Sequence, residues 1–370
     1  MTPGELHSLV TSEADRPWWL RPLRGAAIAG SWLYGLGAGA KNLAYDLGLA
    51  RPRRLPAPVI GVGNLTAGGS GKTPLTMAVV QALARLGLPA AVISRGHGGR
   101  AERGGVTWVS LGDGPLADAR EAGDEPALMA RRLDAPVAAG PDRHAVGRAV
   151  LGRCGGRVLV ADDLFQHRRL HRDLDLVAMD AAHPLGNRRM LPAGWLREPA
   201  AGLRRATAVI LTRAEDPQAT DAARRWLRGF WGAGPVLACR HVLAGIDDAQ
   251  GAPLPPYAWR GQPVLAFCGL ADPGQFFAGL ERAGLLVIDR QGFADHHPFS
   301  AQELTGLWRR AAGQGVAAMV CSEKDRARLP ENLPAGSPLW VTRLELEFVE
   351  GPQALERLLA WGLAGWGKRA

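Results

Sequence analysis

The chain has 370 residues, 47% of them hydrophobic and 21% charged, and this length predicts about two globular domains. The composition excludes a disulfide-stapled mini-protein, a wholly disordered chain and a membrane protein with many spans. Four widely separated cysteines argue against a zinc knuckle and favour a reducing compartment. The net charge is +9, and its positive excess is concentrated between Arg16 and Arg54, a range that holds seven basic residues and one acid.

Residues 1–54 predict an N-terminal amphipathic helix that associates with a membrane surface. An uncharged run covers 25–40, which is shorter than the roughly 20 residues of a spanning helix. Apolar side chains recur at helical spacing at Ile28, Trp32, Leu36, Leu43 and Leu47. With arginine and tryptophan flanks, this pattern is typical of a helix in the membrane interface, where anionic lipid attracts the arginines. The alternative is an amphipathic helix packed on its own domain.

From residue 55 onward, short apolar runs alternate with helical stretches, a pattern typical of a parallel sheet covered by helices. The pattern predicts strands over 59–62, 90–94, 136–139, 158–161, 174–179, 208–211 and 236–242, with helices over 73–86, 124–133 and 143–154. A Pro/Gly-rich stretch at 251–262 resembles a hinge. Strands are then expected over 264–268, 285–288 and 317–321, with helices over 274–283 and 301–312. We therefore expect an α/β fold, in which a parallel-sheet domain (55–240) is joined through a hinge to a smaller α/β domain (241–370).

The strongest chemical signal is a glycine-rich loop, G-N-L-T-A-G-G-S-G-K-T at 63–73, between a predicted strand and a predicted helix. It predicts a phosphate-binding loop (P-loop), because backbone N–H groups can surround phosphates, Lys72 can reach the β/γ oxygens and the Thr73 hydroxyl suits Mg²⁺. Thr66 stands where the usual pattern has its first glycine, but the G-G-x-G-K-T core is intact. The expected nucleotide-binding residues are Thr66, Ala67, Gly68, Gly69, Ser70, Gly71, Lys72 and Thr73.

Two adjacent acids, Asp162 and Asp163, follow the strand predicted over 158–161. An acid at the end of such a strand holds Mg²⁺ in P-loop proteins, directly or through water. Because side chains alternate along a strand, the two acids should point in different directions. We expect the metal ligands to be Thr73, Asp162 and Asp163. The alternative is a pair of acids that caps a loop.

A series of motifs in fixed order resembles the tetraacyldisaccharide 4'-kinase family, the lipid A kinases of Gram-negative bacteria. The resemblance covers nearly the whole chain. The motifs are VGNLTAGGSGKTP (62–74), SRGHGG (94–99), GDEP (123–126), PVAAGPDR (136–143), DDLFQHRRL (162–170), LPAGWLREP (191–199), FCGL (267–270), FADHH (293–297) and SEKD (322–325).

The resemblance implies a P-loop kinase-like fold and an enzyme that uses ATP and Mg²⁺. The γ-phosphate would pass to the 4'-hydroxyl of an acylated glucosamine disaccharide 1-phosphate, tetraacyldisaccharide 1-phosphate, to form lipid IVA. The resemblance also implies peripheral association with the cytoplasmic face of the bacterial inner membrane. We further expect a monomer that binds no nucleic acid.

The resemblance implies that Asp124 works in a dyad with His296 and that Arg197 lies near the γ-phosphate. With Lys72, these are the expected catalytic residues, since phosphate transfer needs cations on the oxygens and a group beside the attacking hydroxyl. Spacing alone leaves Asp124 as a helix N-cap. His296 and His297 would otherwise be surface histidines or metal ligands beside Asp295.

The expected substrate-binding residues are Asn64, Arg143, Gln166, His167 and Glu198. The Arg143 guanidinium suits an anionic substrate group, and Gln166 and His167 either orient the active site or pack. The chain departs from the family at three positions: His97 replaces a tyrosine, Leu164 a glycine and Trp195 a proline. Because Leu164 stands in place of a glycine beside the expected metal carboxylates, it should affect the backbone geometry of the turn more than the chemistry of the site.

Two other classes of protein fit parts of the sequence. A P-loop GTPase or metallochaperone-type NTPase would need a base-reading N-K-x-D string. The nearest string, T-R-A-E at 212–215, lacks both the lysine and the final aspartate. A nucleic-acid-stimulated ATPase would use the positive charge, but that charge lies beside tryptophan and apolar residues instead of a stacking patch.

Overall fold

The structure, a computed structural model, describes residues 21–232, 234–270, 272–330, 338–364 and 366. The helices are α1 (Arg21–Asp46), α2 (Lys72–Arg85), α3 (Ala119–Ala122), α4 (Asp124–Arg132), α5 (Arg143–Cys154), α6 (Pro217–Phe230), α7 (Pro256–Trp259), α8 (Pro273–Arg282), α9 (Ala301–Gly313), α10 (Glu323–Arg326) and α11 (Ala354–Leu363). The strands are β1 (Val59–Asn64), β2 (Ala90–Ser94), β3 (Thr107–Leu111), β4 (Pro136–Ala139), β5 (Val158–Ala161), β6 (Leu174–Asp180), β7 (Ala208–Thr212), β8 (Val236–Asp248), β9 (Pro253–Leu254), β10 (Pro263–Cys268), β11 (Leu286–Gly292), β12 (Ala318–Ser322) and β13 (Leu339–Phe348).

The strands form one sheet in the order β11-β10-β12-β13-β8-β7-β6-β1-β5-β2-β4-β3, with β9 beside β8. Most neighbours are parallel, while β3–β4, β8–β13 and β8–β9 are antiparallel. The P-loop strand β1 lies between β5, which precedes the acidic pair, and β6. Ligands of open parallel sheets bind at the carboxyl ends of the strands, so this order brings the two motifs to one edge. The expected α/β fold is confirmed.

The long strand β8 connects the two halves of the sheet. Its first residues pair in parallel with β7, and from Cys239 onward it pairs antiparallel with β13. The boundary expected at 240/241 therefore falls inside a continuous strand. The stretch expected as a hinge, 251–262, contains β9 and α7, and Trp259 within it is 4% exposed. The two-domain division with a hinge stays a prediction.

The P-loop half is packed on both faces of the sheet, as near-continuous apolar strands require. One face buries Ile60 and Val62 of β1 with Leu75 and Leu83 of α2, and the other buries Val59 in a separate cluster. The C-terminal helix α11 also packs into the first cluster through three leucines, Leu355, Leu358 and Leu359. The end of the chain thus returns to the P-loop half, although it lies in the range expected for the second domain.

Helix α1 lies across the loops that surround the active-site edge. Ser31 Oγ donates to the Met190 carbonyl at 2.8 Å, and Tyr34 Oη donates to the Arg197 carbonyl at 3.0 Å. Its other side leaves large apolar side chains exposed, with Trp32 73% and Leu36 68% exposed. Across the described residues, none of the helices is long and apolar enough to cross a membrane. Of the segment predicted over 1–54, the structure shows a helix over 21–46, while residues 1–20 lie outside the described residues. Membrane association of the helix stays a prediction.

Candidate active site

The P-loop leaves β1 and enters α2 through backbone conformations that favour glycine. Gly68 and Gly71 have φ of 101° and 78°, in the left-handed region. A side chain at Gly63 would lie 2.5 Å from the Phe165 Cβ, so only glycine allows the loop after β5 to approach this closely. Lys72 is the first residue of α2 and its side chain is 9% exposed. The backbone N–H groups at the start of such a helix are of the kind that binds an anion.

Hydrogen bonds from three directions hold the loop. Asn64 Nδ2 donates to Ser70 Oγ at 2.6 Å, and Thr212 Oγ1 donates to the Ser70 carbonyl at 3.0 Å. Ala67 N donates to the Trp195 carbonyl at 2.6 Å. Thr66, in place of the usual glycine, forms a β-bridge with Leu196. These contacts fix the loop before any phosphate binds.

The two acids after β5 point to different partners, as strand alternation predicts. Asp162 is 1% exposed and its Oδ1 accepts from Thr76 Oγ1 at 2.9 Å. Asp163 faces the P-loop, where both of its oxygens accept from Arg197 Nη1, at 2.9 and 2.8 Å, and Lys72 Nζ lies 3.9 Å away. Arg197 and Lys72 thus reach the same carboxylate from separate segments of the chain.

The acids also differ in their electrostatics. Burial, helped by the neighbouring Glu125 and Asp163 carboxylates, raises the pKa of Asp162 well above its usual range. Burial opposes the charged form of Asp163 too, but Lys72 and Arg197 outweigh it and lower the pKa of Asp163. A bound divalent cation would stabilise the charged form of Asp162, which has no cation paired with it among the described residues.

Asp124 and His296 meet across the junction of the two halves. His296 Nδ1 lies 2.9 Å from Asp124 Oδ2, and the two residues are 172 positions apart. Asp124 is the first residue of α4, whose N-cap is Gly123, so the N-cap alternative for Asp124 does not hold. His297 instead contacts Glu303 Oε1, at 3.0 Å. Within the described ranges no group of three or more His, Cys, Asp or Glu could hold a metal ion.

Of the expected substrate residues, the partly buried Gln166 and the buried Glu198 form a hydrogen-bond network. Gln166 Nε2 donates to the Asn64 carbonyl at 2.7 Å and to Glu198 Oε1 at 2.9 Å. Glu198 is 2% exposed, and its Oε2 accepts from Asn42 of α1 at 2.9 Å and from Arg205 at 2.7 Å. These two residues tie the P-loop, the acidic loop and α1 together.

Arg143 and His167 are basic groups held in poorly hydrated surroundings. Arg143 is 3% exposed, and its Nε has no hydrogen-bond partner among the described residues. Burial, together with Arg95, lowers the pKa of Arg143 to about 10. Burial, together with Arg143 and Lys41, lowers the pKa of His167 to about 4. An unsatisfied buried guanidinium N–H suits an incoming anion.

The family profile described as Tetraacyldisaccharide-1-P 4'-kinase matches residues 18–362. The chain belongs to the tetraacyldisaccharide 4'-kinase family. The protein named Tetraacyldisaccharide 4'-kinase from Anaeromyxobacter dehalogenans (strain 2CP-C) is 42% identical over 355 residues, 93% of each chain. The one of the same name from Geobacter metallireducens is 38% identical over 325 residues, 87% of this chain and 93% of its own. The resemblance found in the motifs is confirmed.

A solved structure agrees with this membership of the tetraacyldisaccharide 4'-kinase family. The crystal structure of LpxK from Aquifex aeolicus in complex with ATP is similar with a TM-score of 0.73 and 29% identity. The match covers 92% of this chain and 99% of that chain. The chain is therefore a kinase of lipid A biosynthesis with the fold of this family.

The departures from the tetraacyldisaccharide 4'-kinase pattern are accommodated locally. Leu164 is fully buried, and the positive φ needed in this turn, 47°, falls on Asp163. The Trp195 ring packs on the P-loop at Gly68, where an added Cβ atom would lie 3.7 Å from the ring. His97 is exposed and contacts Glu102 at 3.2 Å.

Several residues of the site lay outside the sequence-based prediction. Thr76 bonds Asp162, and Thr212 and Arg213 hold the P-loop through the Ser70 and Gly69 carbonyls. Thr76 lies one helical turn after Thr73, a spacing that places both on one face of α2. That spacing is the sequence signal that would have identified Thr76. No comparable sequence signal marks Thr212 or Arg213.

Proposed function

We propose that this enzyme transfers the γ-phosphate of Mg-ATP to the 4'-hydroxyl of tetraacyldisaccharide 1-phosphate, forming lipid IVA. The observation that carries the proposal is that a P-loop lysine and an arginine meet on one carboxylate of an acidic pair, while an acid–histidine pair forms across the junction of the two halves. The names of the relatives support the substrate, and the ATP complex of the Aquifex aeolicus protein supports the donor.

The P-loop side binds the phosphate donor. Backbone N–H groups at the start of α2 and the Lys72 ammonium take the β- and γ-phosphate oxygens. Arg197 shares the Asp163 carboxylate with Lys72, so it is placed to move onto the γ-phosphate as charge develops there.

Thr73 and Asp162 fit Mg²⁺, because a hydroxyl and a buried carboxylate are hard oxygen ligands. Mg²⁺ usually takes one or two carboxylates and completes its shell with phosphates and water. Asp163 is proposed as the other acidic ligand, directly or through water, once Arg197 turns to the phosphate. When bound, Mg²⁺ neutralises charge on the phosphate oxygens.

The Asp124–His296 pair serves the acceptor. As the 4'-oxygen bonds to the γ-phosphorus, the bond from that phosphorus to the bridging oxygen of ADP breaks, and the hydroxyl proton passes to the pair. Asp124 Oδ2 already contacts His296 Nδ1 at 2.9 Å, while Oδ1 accepts no hydrogen bond within the described ranges. We assign Oδ1 as the oxygen that meets the acceptor hydroxyl.

A cavity of about 1030 Å³ beside this pair, lined by His97, Asp118, Phe299 and Arg328, offers room for the sugar. Arg143 and His167 are proposed to meet anionic or hydroxyl groups of the disaccharide, with Asn64, Gln166 and Glu198 holding that region in place. The exposed apolar side of α1 is proposed to rest on the cytoplasmic face of the inner membrane, from which the acyl chains of the substrate reach the site.

The geometry favours a kinase over a P-loop GTPase. Thr212 and Arg213 are the first residues of T-R-A-E, the sequence most similar to the guanine-binding N-K-x-D motif. Thr212 Oγ1 donates to the Ser70 carbonyl, and Arg213 Nη2 donates to the Gly69 carbonyl at 2.9 Å. Both side chains therefore brace the P-loop and are not available to read guanine. A cavity of about 360 Å³ beyond them, with Phe276 and Leu270 in its walls, suits a nucleoside.

The test is to incubate the protein with γ-labelled ATP and tetraacyldisaccharide 1-phosphate in mixed micelles and to locate the new phosphate. We expect label at the 4'-oxygen, and we expect Lys72→Ala to abolish nearly all transfer because it removes the lysine of the P-loop. Label at another position, or Lys72→Ala activity within about twofold of the wild type, contradicts the proposal.

A further inference from the structure

Arg328 contacts the acid of the dyad from the second half of the chain. Its Nε lies 3.3 Å from Asp124 Oδ2, the same oxygen that His296 contacts. The Arg328 side chain is 6% exposed and that of Asp124 is 18% exposed, so this ion pair is largely shielded from water. A shielded charge pair is screened less by salt than a surface pair and is more sensitive to the loss of either partner.

Other contacts fix the guanidinium from behind. Its Nη2 donates to Asp325 Oδ1 at 3.1 Å and to the Gly269 carbonyl at 3.2 Å. Asp325 is fully buried and is itself held by Ser322 Oγ and Gly269 N. The Arg328 Nε donates to the Lys324 carbonyl at 3.4 Å. Together these bonds leave Arg328 little rotamer freedom and hold its positive charge beside Asp124.

A second ion pair lies at the other end of α4 and joins it to α10, the short helix that ends two residues before Arg328. Arg132, in the last turn of α4, bonds Glu323 at the start of α10, and their side chains are 14% and 12% exposed. Helix α4 is thus held at its first residue by Arg328 and in its last turn by Glu323. In the first pair α4 supplies the acid, Asp124, and in the second it supplies the base, Arg132. The two pairs together therefore favour one docking orientation of α4 on the segment that holds α10 and Arg328.

We propose that Arg328 is a positioning residue for phosphate transfer, which holds Asp124 against His296 while the Arg132–Glu323 pair sets the docking of α4. Two contacts on Oδ2, the His296 Nδ1 contact and the Arg328 ion pair, restrain the carboxylate and leave Oδ1 for the acceptor hydroxyl. Lys324 completes the arrangement, since its Nζ lies 3.3 Å from His296 Nε2. This inference rests on the proposed function, because it assigns Arg328 a role in that reaction.

The test is to compare Arg328→Gln and Arg328→Lys with the wild type for kcat and for the KM of ATP. Arg328→Gln should lower kcat by about 10²-fold, the loss typical of a misplaced catalytic group. Arg328→Lys keeps the charge but cannot make the same set of bonds, so its kcat should fall between those of Arg328→Gln and the wild type. The KM of ATP should stay within about twofold, since Arg328 does not touch the P-loop. Arg309→Gln, at an exposed arginine of α9, is the matched control and should match the wild type.

A double mutant separates positioning from general destabilisation. In an Asp124→Ala background, Arg328→Gln should cost no further kcat, because its effect passes through the missing carboxylate. An equal loss in both backgrounds, loss of ATP binding in Arg328→Lys, or unchanged kcat in Arg328→Gln would overturn the inference. If the wild type transfers no phosphate to the lipid, the proposed function fails and this role fails with it. An active wild type with unaffected Arg328 variants overturns this role alone.

Discussion

Arg197 Nη1 donates to both carboxylate oxygens of Asp163, at 2.9 and 2.8 Å. The two residues are 34 positions apart, and Lys72 lies 3.9 Å from the same carboxylate. Three segments therefore meet at the Asp163 carboxylate: the P-loop, the turn that holds the acidic pair, and the loop that carries Arg197. We propose that the Asp163 carboxylate holds both cations beside the P-loop until phosphates bind and take its place.

Replacing Arg197 should slow phosphate transfer more than it weakens ATP binding. Arg197→Ala should lower kcat by about 10²-fold, because a cation aimed at the transferring group acts mainly in the transition state. Steady-state kinetics with varied ATP measures this. The control is Arg204→Ala, at an exposed arginine nearby. A rise in the KM of ATP with unchanged kcat would contradict the assignment and make Arg197 a ground-state contact.

Replacing exposed apolar residues of α1 should weaken vesicle binding without changing the active site. Removing residues 1–54 would also remove Asn42, which bonds Glu198, so the sharper variant is Trp32→Ser with Leu36→Ser. This double variant should sediment less with anionic vesicles than the wild type, because apolar area that enters the interface is lost. Bound fractions should also fall with added salt.

The control for vesicle binding is Tyr257→Ser, which removes another exposed aromatic ring, 84% exposed, in α7. It should bind vesicles like the wild type. Equal binding by the Trp32/Leu36 variant and the wild type would place the membrane contact elsewhere on the protein.

The buried strands could be predicted from sequence because their apolar runs are short and continuous. Strands β2, β4 and β5 begin and end where the sequence predicts, and α5 does as well. Strand β3 was missed, because its T-W-V-S-L run is short and pairs at the edge of the sheet. Strand β13 was also missed, although apolar and acidic residues alternate in its L-E-L-E-F run. This strand pairs with β8, which lies about 100 residues earlier in the chain.

The motif residues of the site could be predicted, but their contacts could not. Arg328 is one arginine among many, and nothing in its neighbours along the chain indicates that it meets Asp124. The Thr76–Asp162 bond and the Arg132–Glu323 pair likewise join segments that only the sheet order brings together. Such pairs depend on tertiary packing, whereas a P-loop depends on local backbone geometry.

Acid should destabilise the protein partly through His167. Its folded pKa, about 4, lies below the usual unfolded value near 6.5, so the unfolded chain binds the proton first. Its contribution to the free energy of unfolding is therefore fully present above pH 6.5 and is lost as pH falls toward 4. Burial lowers the pKa of His171 and His241 in the same direction.

The measurement is the melting temperature of wild type and His167→Gln between pH 8 and pH 4. The variant should lose less stability over the acid part of this range, because it lacks one of the titrating groups. His183→Gln, at an exposed histidine, should follow the wild type. Parallel curves for His167→Gln and the wild type would show that His167 takes up its proton equally well in the folded state.

The Asp124–His296 contact predicts that the two residues act as one unit in phosphate transfer. Each single alanine variant should lower kcat strongly, and the double variant should be little worse than the poorer single variant, because either change breaks the same 2.9 Å contact. ATP binding, measured by calorimetry, should survive in all three, since neither residue belongs to the P-loop. Losses of kcat that multiply in the double variant would mean that Asp124 and His296 act independently. In that case Asp124 Oδ1 would no longer be the favoured site for the acceptor proton.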